Sequence, residues 1–321
     1  MGIYYHYDHY PLPDPKREAL KERVGAVTIW RGFGAVVHHS EQLVIGVLGV
    51  LAATCWISAP TRAAGLPPSE DMAKARLDSS PRHAELAAVD VRGAPVRVWV
   101  VYPERKDAAP VVIVIHEIFG LTDWIRAVAD QLAAEGFIAV APDLLSGKGP
   151  AGGGTEAYPS RDDVTKAVSG LAREEAIARL NAVREWALAR PAANGKSASI
   201  GLCWGGSMSF AWAVAQPGLD AAVVYYGTAP DDLSTLAAVK APVLGLYGSS
   251  DARVDATIAA TEAKMKDLGK VYEPHVFEGA GHGFLRAQDA QSGANLRATE
   301  GAWPVTIAFL RQHTAASPAH P

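Results

Sequence analysis

Residues 197–216 read SASIGLCWGGSMSFAWAVAQ: a short apolar run, then Gly201-Leu202-Cys203-Trp204-Gly205-Gly206, then a helix-forming stretch with no loop between. A strand that turns straight into a helix leaves no room for side chains two positions either side of its central residue. Glycines at 201 and 205 meet that demand. Such a turn holds the central residue in a strained conformation and lifts its side chain above the sheet. The helix N-terminus beneath the sulfur favours a thiolate and offers N–H groups to an oxyanion. Taken alone, the pattern also fits a small buried cysteine in a glycine-rich turn.

Around this turn the chain alternates strands and helices. Strands are predicted at 96–102 (VRVWVVY), 111–115 (VVIVI), 137–141 (FIAVA), 197–200, 221–226, 243–247 and 271–277. Helices are predicted at 123–135, 174–190, 206–216, 255–268 and 299–313. The unbroken apolar run at 111–115 marks a strand buried on both faces. The expected class is α/β, a mostly parallel sheet flanked by helices, in one catalytic domain over residues 85–313 with a tail at 314–321. Residues 146–160, rich in Gly and Pro, lack the Lys-Ser/Thr ending of a phosphate loop and are expected to form a mobile loop near the strand ends.

In such a sheet ligands bind beyond the carboxyl ends of the strands. Asp251 follows one predicted strand and His282 the next, so Cys203, Asp251 and His282 stand in the order of a nucleophile, an orienting acid and a base. His282 would carry the proton, and Asp251 would fix its tautomer and stabilise the imidazolium. Directly after the most buried strand comes His116-Glu117-Ile118, where the loop of this fold supplies an oxyanion N–H, which would be that of Ile118. Glu117 has two readings: it keeps the thiol protonated until substrate arrives, or it makes a loop hydrogen bond.

HEIFG at 116–120, GLCWGG at 201–206, the GxxD turn at 248–251 and GHGFLR at 281–286 resemble the dienelactone hydrolases (carboxymethylenebutenolidases), a family of α/β-hydrolases. The resemblance covers roughly residues 85–313. It implies Cys203 as nucleophile with Asp251 and His282 as partners, Glu117 as the resting partner of the thiol, and Ile118 and Trp204 as oxyanion donors. It also implies that Arg286 binds a substrate carboxylate, with Arg161 the candidate for a second such arginine. Trp124 and Phe284, with the 146–160 loop, are expected to shape the pocket. The expected reaction is ester or lactone cleavage through a thioester on Cys203, with no metal or cofactor and a small-molecule substrate. A non-catalytic binding or sensor protein on the same fold is the alternative. A thiol redox role would need a resolving cysteine, and the other cysteine is the distant Cys55.

Hydrophobic residues make up 49% of the 321-residue chain, enough for a large core, and a net charge of -4 without a basic patch argues against nucleic acid. A monomer is expected. Residues 43–57 (LVIGVLGVLAATCWI) are apolar and uncharged; 15 residues suit the core of a signal peptide better than a span of about 20. Small residues at 61–63 supply a cleavage spacing, which points to export, with a retained membrane anchor or a buried core helix as alternatives. A cytoplasmic location follows from the last of these. Residues 1–42 read as a tail without chemical pattern, Cys55 as an apolar filler, and 65–84 as a linker.

Overall fold

The structure, a computed structural model, describes residues 65–316. The predicted signal or anchor at 43–57, its cleavage region, Cys55, the 1–42 tail and most of the C-terminal tail lie outside the described residues. Among those described, no helix is long and apolar enough to cross a membrane.

Eight strands form one sheet in the order β1-β2-β4-β3-β5-β6-β7-β8. β1 (Ala84–Val91) and β2 (Ala94–Val101) make a hairpin closed by Arg92 and Gly93, whose φ values of 55° and 84° suit a two-residue turn. β2 pairs antiparallel with β4 (Ile138–Pro142). All later pairings are parallel: β4 with β3 (Ala109–Ile115), β3 with β5 (Ala193–Leu202), then β6 (Ala221–Tyr225), β7 (Val243–Gly248) and β8 (Tyr272–Phe277). The order reverses at β3, where the chain leaves toward β4 on one side and returns to β5 on the other. That reversal opens a crevice at the carboxyl ends of β3 and β5. The chain is an α/β-hydrolase fold with helices on both faces of its sheet.

β3 shows why the sheet has two covered faces. Val112 and Val114 pack with Ile125, Val128 and Leu132 of α2 (Asp123–Ala134) and with Trp303 and Leu310 of α7 (Ala294–Thr314). Val111, Ile113 and Ile115 point the other way, against Leu180 and Val183 of α4 (Arg173–Leu188) and Trp212 of α5 (Trp204–Ala215). Each such side chain, fully removed from water, contributes roughly 1.5–3 kcal/mol.

Three elements escape the sequence periodicity. β1 is an edge strand in which only Val89 is buried and the four exposed residues do not alternate regularly, so no period-two signal marks it. α3 (Arg161–Ser169), capped by Ser160, is short and polar and buries only Val164 and Val168. The third corrects the expected linker at 65–84. There the chain forms a single 3-10 turn (Glu70–Met72) and α1 (Ala73–Asp78), and docks on the domain. Pro68 accepts a hydrogen bond from the Trp124 indole at 3.0 Å, and Pro67 accepts one from Gln288 at 3.0 Å. Arg82 pairs at 2.8 and 2.6 Å with both oxygens of the buried Asp130. Arg82→Ala is expected to lower stability by about 2 kcal/mol, read as a shift of the denaturant midpoint, because a charge-assisted pair to a buried carboxylate is lost while Ser80 and Arg76 remain. An unchanged midpoint would return the segment to the status of a linker.

Candidate active site

Cys203 stands between β5 and α5 with φ 58° and ψ -115°, a backbone state that costs of order 1–3 kcal/mol and persists because its surroundings enforce it. Its N–H donates to Tyr225 O at 3.1 Å, and its carbonyl accepts from Gly206 and Ser207 at 2.9 and 3.2 Å. The glycines are required by contact. A Cβ at 205 would lie 2.2 Å from Ile115 O, and one at 206 would lie 2.5 Å from Tyr225 O.

Cys203, Asp251 and His282 come together. His282 Nε2 is 3.0 Å from Cys203 Sγ, and His282 Nδ1 is 2.5 Å from Asp251 Oδ2. The loops that carry them are stitched to each other: Ser249 Oγ accepts from the Gly279 N–H at 2.8 Å, and the Ser250 N–H donates to Ala280 O at 2.9 Å. Asn295 Oδ1 holds the Gly281 amide at 2.9 Å. Burial by itself would depress the imidazolium pKa. The hydrogen bonds to Asp251 and Cys203 and their negative charge outweigh it and raise His282 to about 10.

The loop after β3 is braced by a buried histidine. His116 is fully buried; its Nε2 accepts from the Leu144 N–H at 3.3 Å, which leaves Nδ1–H to donate to Glu117 O at 2.7 Å. Burial pushes its pKa down, so the ring is a neutral strut. Neither the Ile118 nor the Trp204 N–H donates to another described group. Gly120 has φ 72°, and a Cβ there would meet Thr155 Oγ1 at 2.3 Å.

The other predicted residues are placed differently. Glu117 is buried, and its charged partner is Arg286, whose Nε lies 2.8 Å from Glu117 Oε2 at ion-pair distance without hydrogen-bond alignment. Burial raises the Glu117 pKa and Arg286 opposes that shift. Glu117, expected as the resting partner of the thiol, pairs with Arg286 instead, and the group at hydrogen-bond distance from the Cys203 sulfur is His282. Arg286 and Arg161 converge on a carboxylate the sequence did not single out, Glu70. Trp124 is core, not pocket, because its indole is spent on Pro68 O. Phe284 is fully buried and sits behind the histidine, edge-on to Tyr226 at 5.3 Å. Tyr226 in turn meets the His282 ring at 5.2 Å. The 146–160 loop is tied to its neighbours through Thr155, which bonds Asp143 at 2.8 and 2.7 Å and accepts from the Leu121 amide at 3.1 Å. Among the described residues no cluster of three or more His, Cys, Asp or Glu could hold a metal.

The dienelactone hydrolase family model matches residues 96–314. The chain belongs to the dienelactone hydrolase family. A carboxymethylenebutenolidase of Pseudomonas putida is 31% identical over 190 residues, 58% of this chain and 79% of its own. The dienelactone hydrolase of Anabaena variabilis superposes with a TM-score of 0.56 over 73% of this chain and 99% of its own, at 19% identity. A dienelactone hydrolase-like promiscuous phosphotriesterase from metagenomic libraries superposes at 0.60, covering 72% and 98% with 23% identity. These two likenesses carry the fold. Membership in the dienelactone hydrolase family makes this chain a carboxylic-ester hydrolase acting on a small-molecule ester or lactone.

Proposed function

We propose that this protein cleaves its ester or lactone by a cysteine mechanism, with Cys203 as nucleophile, His282 as proton carrier and Asp251 as its orienting acid. The observation that carries the reading is the Sγ–imidazole–carboxylate relay, at 3.0 and 2.5 Å, mounted on a strained turn at a helix N-terminus. The Cys203 thiolate attacks the carbonyl carbon, and the Ile118 and Trp204 amides receive the oxyanion. The carbon–oxygen bond to the leaving alcohol breaks, and imidazolium His282 protonates that oxygen. A thioester remains on Cys203. Water then attacks it, giving its proton to His282, and the acid departs with the thiol restored. In a lactone the leaving oxygen stays tethered, so one ring-opened product emerges. The name of the Pseudomonas putida relative supports a lactone as the substrate class.

The test is to mix the full chain with a simple aryl acetate and with a dienelactone and to quench in acid. Intact-mass analysis should show an acyl adduct that maps to Cys203. Turnover of both compounds without any cysteine adduct would sink the mechanism.

The raised His282 pKa gives a second expectation. The proposed chemistry needs the imidazolium as acid, so kcat/KM should hold as pH rises and fall as His282 loses its proton near pH 10. Asp251→Asn removes a carboxylate that favours the protonated ring and leaves Cys203 alone to oppose burial. The alkaline limb should therefore move down toward neutral pH, with kcat about 10²-fold lower. A limb that stays in place in the variant would show that it reports another group.

A further inference from the structure

Four charged side chains meet beside Cys203, and one of them comes from far outside the loops around it. Arg286 Nε is 2.8 Å from Glu117 Oε2, and its Nη1 donates to Glu70 Oε2. Arg161 Nη2 donates to the other Glu70 oxygen at 3.0 Å. Both guanidinium groups lie over the Phe119 ring, at 3.6 Å for Arg161 and 5.3 Å for Arg286. This cluster borders the reacting groups. Glu117 and Phe119 flank Ile118, and Arg286 Nη2 lies 3.5 Å from where a Cβ on Gly283, the neighbour of His282, would stand.

Glu70 is held there by more than its side chain. Its N–H donates to the Arg286 carbonyl at 3.0 Å, and the preceding residues are fastened through Pro67 O to Gln288 and through Pro68 O to Trp124. The formal charges of Glu70, Glu117, Arg161 and Arg286 cancel. Without Glu70 the cluster would carry one net positive charge next to the nucleophile, a seat for an anion.

We propose that Glu70 determines specificity, filling the seat between Arg161 and Arg286 and directing the enzyme to esters or lactones that are uncharged at that end. A substrate carboxylate would have to displace Glu70 from two charge-assisted hydrogen bonds and would meet it at like charge on the way in. This inference rests on the hydrolytic reading above.

The test uses the full chain and two aryl esters of matched length, the para-nitrophenyl monoester of succinate, which carries a carboxylate, and its methyl ester, which does not. Wild type should prefer the methyl ester. Glu70→Gln should raise the anionic-to-neutral ratio of kcat/KM by about tenfold, the effect of removing one nearby charge. Glu70→Asp keeps the charge and should keep the low ratio, and Arg161→Ala added to Glu70→Gln should cancel the gain. If the Gln and Asp variants shift the ratio alike, or neither shifts it, while wild type still turns over the methyl ester through Cys203, the inference fails and the mechanism stands. If folded wild type hydrolyses neither ester, both fall together.

Discussion

Cys203→Ala is expected to lower kcat/KM for ester and lactone cleavage by about 10⁴-fold or more, the scale seen when a covalent nucleophile is removed from a relay that acts as a unit. The alanine side chain cannot form the thioester. The Ile118 and Trp204 amides and the pocket would survive to give only the residual rate of a binding site. The fold should survive too, since the strained turn is enforced by the hydrogen bonds of Cys203 N and O and not by its sulfur. Steady-state kinetics with an aryl acetate, alongside a thermal melt, would check this. Retention of more than a tenth of wild-type activity in a folded variant would remove Cys203 from the chemistry.

Gly201→Ala is expected to act on stability instead. A Cβ at 201 would stand 1.9 Å from Gly205 O, 2.4 Å from Gly205 C and 2.8 Å from Ser209 Cβ. Two of those atoms are backbone, so relief requires β5 and α5 to separate where they meet most closely. Overpacking of a core commonly costs 1–3 kcal/mol, and a backbone clash at a sheet–helix junction belongs at or beyond the upper end, about 3 kcal/mol or more. For a domain of this size that is a Tm lower by about 6–12 °C, or failure to accumulate folded protein. A melt within about 2 °C of wild type would mean that the turn opens at little cost. Kinetics on any folded fraction would then show whether the turn geometry also governs the relay.

These two positions were legible before any coordinates. The spacing of Gly201, Cys203 and Gly205 is a local steric rule, and local rules survive folding unchanged. The buried strand at 111–115 was legible for a similar reason, because a strand covered on both faces has no polar alternation to hide it. Asp251 and His282 could be read because each follows a strand in a sheet whose carboxyl ends must converge. Edge strand β1 and the polar helix α3 were not legible, since neither carries a full period of buried residues.

The sequence by itself determined seven of the eight strands, the tight turn and the order of Cys203, Asp251 and His282, because these follow from chain-local sterics and from strand periodicity. Only the tertiary structure decided which partner each charge takes. It gave Glu117 to Arg286, gave Trp124 to the carbonyl of Pro68, and set Glu70 against an arginine 216 residues away. No periodic pattern encodes such a pairing. It depends on where two distant segments come to rest, and that is fixed by the packing of the whole domain.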